Sequence, residues 1–129
     1  MSQTVLFVHG GWVTPACWEP FVSFFEARGF RCLAPAWPGK DRSVDAIRSD
    51  PSAFAGLGIS QIVDHYAQFV RSLDERPILV GHSFGDLFVQ LLVNRGLGSA
   101  GTAIDEAATR LGQSQTTCRS PCRSPCGRS

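Results

Sequence analysis

Ser83 is the residue whose surroundings most plainly suit covalent chemistry. It stands in Gly81-His82-Ser83-Phe84-Gly85, the Gly-x-Ser-x-Gly spacing of a nucleophile elbow. A serine held on a sharp strand-to-helix turn pushes its hydroxyl out above a sheet. The residues two before and two after it then nearly touch, so both must lack bulk. The helix that starts there points its free amide N–H groups at any oxyanion that develops. Five residues with three fixed positions are a weak signal alone. The context strengthens it: Ile78-Leu79-Val80 reads as a buried strand just before, and an apolar helical pattern follows.

A second element points to the same chemistry. His9-Gly10-Gly11-Trp12 follows another apolar run, Val5-Leu6-Phe7-Val8. In a parallel sheet both strands end at the same edge. The backbone N–H groups of Gly11 and Phe84 can then converge on one oxygen, which is the requirement for an oxyanion hole.

The elements that must hold these two loops are legible as periodicities. Trp18, Phe21, Val22 and Phe25 fall at i, i+3, i+4, i+7, one face of a helix, and Gly29 is placed to end it. Arg31-Cys32-Leu33-Ala34 resumes extended structure up to Pro35. Residues 35–58, with Trp37-Pro38-Gly39 and Asp50-Pro51, read as a long loop carrying a short helix. Ile59, Ile62, Val63, Tyr66, Phe69, Val70 and Leu73 give the clearest helix signal. Phe84, Leu87, Phe88, Leu91 and Leu92 mark the next helix, closed by Gly96, and Thr102-Ala103-Ile104 is a last strand ending at Asp105. Apolar strands alternating with helices predict an α/β fold: a three-layer parallel sheet of about four strands with helices on both faces.

These stretches resemble the α/β-hydrolase superfamily of serine hydrolases. The resemblance rests on residues 5–12, the Trp37-Pro38-Gly39 loop and residues 78–85, and is closest to small esterases, lipases and cofactor-free haloperoxidase-like members. It implies Ser83 as catalytic nucleophile, Gly11 and Phe84 as oxyanion-hole amides, a small ester-like substrate, and no cofactor. It also implies that the strand of the elbow lies next to the first strand, at the switch point where ligands bind.

Three departures qualify that expectation. The family order is Ser, then Asp or Glu, then His, yet the three histidines, His9, His65 and His82, include none after Ser83. His9 belongs to the oxyanion loop, His65 is expected on the surface of its helix, and His82 adjoins the serine. Asp105 is therefore left without an imidazole to orient. Asp86 occupies a corner where the family has glycine or another small residue, adding bulk and negative charge. Finally, the family fold has eight strands, and an unpaired last strand is an aggregation hazard. The implied protein is a truncated hydrolase fold lacking its catalytic histidine, inactive or weakly active.

Composition agrees with one partial domain, residues 1–108, and a low-complexity tail, residues 109–129. The 129 residues carry a formal net charge of +1, with 43% hydrophobic and 18% charged residues. The tail holds Arg110, Arg119, Arg123 and Arg128, no acid, and a Cys-Arg-Ser-Pro near-repeat; disorder is expected there. The abrupt change near residue 106 suits a reading frame that shifts or ends early. Near-neutral charge argues against nucleic-acid binding, no apolar run is long enough to span a membrane, and no signal-peptide pattern opens the chain, so a cytoplasmic location is expected. Cys17 and Cys32 are expected to be buried small apolar residues. Cys118, Cys122 and Cys126 lack the fourth ligand of a zinc site, so no metal is expected. Two further functions remain open: an acyltransferase, which shares the Gly-His-Ser-x-Gly elbow but not the His-Gly-Gly-Trp loop, and a non-catalytic binding module on the same sheet.

Overall fold

The computed structural model describes residues 2–50, 52 and 55–104. Asp105 and the tail with its three cysteines lie outside them.

The apolar run at the start forms β1, Thr4–Val8, buried along its whole length. A 3-10 turn, Pro15–Trp18, leads into α1, Glu19–Glu26. β2 is Arg31–Leu33 and α2 is Val44–Ser49. Ser43 caps α2 by accepting the Ala46 N–H at 3.2 Å, as a serine at that position should. Then follow α3, Ile59–Arg71, β3, Ile78–His82, α4, Phe84–Asn94, and β4, Ala100–Ile104. No helix among the described residues is long and apolar enough to cross a membrane.

The four strands are all parallel, in the order β2-β1-β3-β4. The period-2 alternation of β1 divides the core into two layers. Leu6 and Val8 face the layer with Ile62, Tyr66, Phe88 and Leu92 of α3 and α4. Val5 and Phe7 face the layer with Trp18, Val22 and Phe25 of the α1 side. Trp18 packs on Phe7 with ring centroids 4.9 Å apart. The expected three-layer α/β architecture is thus present, with β1 and β3 central.

Three expectations need correction. Cys17 is exposed and Cys32 only half-buried, because Cys17 sits on the outer side of the 3-10 turn and β2 is an edge strand with one open flank. His65 is not a surface residue. It is half-buried on α3, and its Nε2 lies 3.0 Å from the Ala36 carbonyl. The last strand is longer than its apolar residues suggested, reaching back through Gly101 and Ala100 to pair with Ile78.

Candidate active site

The carboxyl ends of β1 and β3 meet at one sheet edge, with Val8 paired to Gly81. The loop after β1 and the turn after β3 are therefore neighbours, as the parallel pairing demands.

Ser83 links β3 to α4 with φ 56° and ψ −120°, the only non-glycine residue with positive φ among those described. A serine in that region is strained by about 1–3 kcal/mol and persists only where the surroundings enforce it. Here the enforcement is steric. A Cβ on Gly81 would lie 2.5 Å from the Gly85 carbonyl oxygen, and one on Gly85 only 2.1 Å from the Val8 oxygen. The turn closes because neither residue has a side chain. The Ser83 carbonyl then accepts the Asp86 N–H at 3.0 Å, which starts α4.

The loop after β1 lies directly over this turn. A Cβ on Gly10 would stand 3.2 Å from the Ser83 Cβ and 3.7 Å from its Oγ, and one on Gly11 would stand 3.4 Å from the Phe84 ring. The structure thus brings together the three residues singled out in the sequence, Ser83, Phe84 and Gly11. Ser83 is half-buried, while its neighbour Phe84 is exposed, and Trp12, next to Gly11, is 94% exposed.

The histidines are placed elsewhere. His9 is fully buried. Its Nε2 accepts the Trp37 N–H at 3.2 Å, so that nitrogen is unprotonated, and its Nδ1 donates to the Gly10 carbonyl at 2.8 Å. Burial is the main force that holds its pKa down at about 4, with the Lys40 ammonium pushing the same way against the Gly10 carbonyl. His65 contacts the loop after β2. His82 turns toward the α1 side, edge-on to Trp18 at 6.4 Å.

Asp86 is accommodated in its corner. It is 1% exposed, and its Oδ1 accepts the Ile104 N–H at 3.0 Å, while the Ser83 N–H donates to the Ile104 carbonyl at 3.3 Å. The aspartate braces the turn against the end of β4. Sequence reasoning also missed Lys40, which is 4% exposed with Nζ on the Gly11 carbonyl. The Pro38-Gly39 pair was the available signal, since such a pair reverses the chain and returns the next residue. No group of His, Cys, Asp and Glu among the described residues could hold a metal ion.

Residues 5–121 match the alpha/beta hydrolase family. Solved structures share the fold. An extracellular α/β-hydrolase from a Paenibacillus species superposes with a TM-score of 0.68 at 23% identity, covering 87% of this chain and 44% of that one. A monoacylglycerol lipase from Paleococcus ferrophilus gives 0.63 at 22% identity, covering 81% and 38%. Polyneuridine aldehyde esterase gives 0.61 at 19%, covering 82% and 41%. The chain spans less than half the length of each of these structures. No curated protein matches the sequence.

Proposed function

The chain belongs to the α/β-hydrolase family, and from that premise we propose that it is a serine hydrolase acting on small ester-like or related acyl substrates, with its catalytic base absent from this chain. The observation that carries the proposal is the strained φ of 56° at Ser83, enforced by two glycines and roofed by Gly10 and Gly11. Strain of this kind clusters at functional sites, and on a strand-to-helix turn with this glycine spacing it suits a presented nucleophile.

In this reading Ser83 Oγ attacks the acyl carbon. The carbonyl oxygen takes up the electron pair and is held by the N–H groups of Gly11 and Phe84, the latter at the positive end of α4. The hydroxyl proton passes to solvent water, and collapse of the oxyanion expels the leaving group, which takes a proton from water. No histidine follows Ser83 in the sequence; His9 Nε2 is taken by the Trp37 N–H and its Nδ1 by the carbonyl of its own neighbour Gly10, and His65 Nε2 lies against the Ala36 carbonyl. Sites stripped of triad members keep about 10³–10⁴-fold catalysis over water from the oxyanion hole and binding. Weak activity is therefore expected of these 129 residues by themselves. The free thiols of Cys17 and Cys32 fit a reducing, cytoplasmic setting.

A fluorophosphonate probe with mass-spectrometric mapping tests this. Slow labelling at Ser83, lost in Ser83→Ala, is the expected result. Equal labelling of both proteins removes Ser83 as nucleophile. Labelling as fast as that of a complete hydrolase shows that a base is present after all.

A further inference from the structure

The loop that carries Gly11 needs an anchor at each end, and the structure supplies two of different kinds. Its start is fixed at His9 by the Trp37 backbone and indole N–H groups. Its far end meets Lys40. Trp37-Pro38-Gly39-Lys40 is a β-turn closed by the Lys40 N–H on the Trp37 carbonyl at 2.9 Å. Proline stands second and Gly39 third at φ 79°, the type II form. The turn folds Lys40 back onto the sheet edge, where its Nζ donates to the Gly11 carbonyl and sits 5.0 Å from the centre of the Trp37 ring.

Burying an ammonium is costly, and burial does lower the Lys40 pKa. Apolar packing alone would be served better by a methionine. What the lysine adds is a charged donor, and charged hydrogen bonds are about twice as strong as neutral ones. Its acceptor lies in the Gly10-Gly11 pair, the stretch of the loop with the widest backbone freedom. Fixing the Gly11 carbonyl also fixes the Trp12 N–H, which points the opposite way across the same trans peptide.

We propose that Lys40 is a positioning residue: by locking the Gly11–Trp12 peptide it pins Gly11 at its carbonyl side and so restrains the Gly11 N–H, one peptide earlier, in the geometry over Ser83 required of an oxyanion donor. The functional half of this statement rests on the nucleophile reading above. The structural half does not.

The test compares the wild type with Lys40→Met, which keeps length and loses charge, and Lys40→Arg, which keeps the charge. Two quantities are read: amide hydrogen exchange across residues 9–13 against residues 59–71 of α3, and the fluorophosphonate labelling rate at Ser83. In Lys40→Met, exchange across 9–13 rises about tenfold with α3 unchanged, and labelling slows about tenfold. Lys40→Arg restores most of both. Unchanged exchange across 9–13 overturns the lock. So does acceleration spread evenly over the chain, or outright unfolding of Lys40→Met while Lys40→Arg exchanges evenly faster, since either marks a general packing role. If Ser83 never labels but the local exchange change appears, the lock stands and the nucleophile reading falls.

Discussion

His9 and Trp37 hold each other twice. The Trp37 backbone N–H donates to the His9 Nε2 at 3.2 Å, and the Trp37 indole N–H donates to the His9 carbonyl at 3.0 Å. Their rings stack with centroids 5.4 Å apart and planes 18° from parallel. The loop after β1 and the loop after β2 therefore behave as one unit. The imidazole serves as an acceptor inside that unit, which is why it must stay neutral.

Acid should weaken the fold through this residue. His9 titrates near 4 in the folded chain against an ordinary 6.5, so between those values the unfolded chain binds more protons. Stability contributed by the neutral ring is complete above about pH 7 and is lost as pH falls toward 4. Between pH 7.5 and pH 5 the loss is about 2 kcal/mol. Urea midpoints at the two pH values measure it. His9→Gln cannot titrate and should flatten the difference; an equal loss in that variant would assign it to other groups.

The bend at Ser83 should tolerate no methyl group beneath it. Gly85→Ala places a Cβ 2.1 Å from the Val8 oxygen, a backbone atom that cannot step aside. A cost of about 3 kcal/mol is expected, at the upper end for overpacking. Gly11→Ala meets only ordinary contacts, 3.4 Å to the Phe84 ring and 3.6 Å to Trp37, and should shift stability by less than about 0.5 kcal/mol. Chemical denaturation of the two variants side by side checks the contrast.

Asp86 should prove structural before it proves inhibitory. Removing its side chain in Asp86→Ala leaves the Ile104 N–H without its acceptor, at a cost of about 1–3 kcal/mol. Asp86→Asn keeps an oxygen in place and should recover about half of that. Hydrogen exchange at Ile104 reports the bond directly, and an unchanged rate in Asp86→Ala would dismiss the brace.

The loop after β2 is also tied from below. The Tyr66 hydroxyl donates to the Pro35 carbonyl at 2.9 Å, and burial pushes its pKa well above the ordinary tyrosine value. Tyr66→Phe should cost about 1 kcal/mol in unfolding free energy. It should also leave the tyrosinate absorbance step, which the wild type shows only on alkaline unfolding, missing from the titration. A step near pH 10 in the folded wild type would mean that the ring is accessible.

How much of this was legible in the chain depended on whether the signal was local. The elbow was readable because Gly81, Ser83 and Gly85 impose the bend on one another within five residues. The long helix announced itself through the spacing of Ile62, Val63, Tyr66 and Val70, dictated by one buried face, while Ile59 at its start is exposed. The partners of His9, His65 and Asp86 were not readable. Each bond joins residues from different elements, and nothing within either segment records the other. His65 looks like a solvent residue in its own helix, and only the approach of Ala36 makes it otherwise. Asp86 looks obstructive until Ile104 comes alongside. Lys40 fell between these cases, since Pro38-Gly39 foretold the reversal but not what the lysine would meet.

The order of the sheet has a kinetic side. Residues 5–8 pair with residues 78–81, so the first strand waits for most of the described chain before it finds its central neighbour. Closing so long a loop is slow compared with forming α3 or α4. The oxygen of Val8 closes over Gly85, leaving no room there for a side chain, only once that pairing exists. During synthesis the serine must therefore pass through a relaxed period, an ordinary residue on an unformed turn, and it acquires its tension in the same event that completes the sheet.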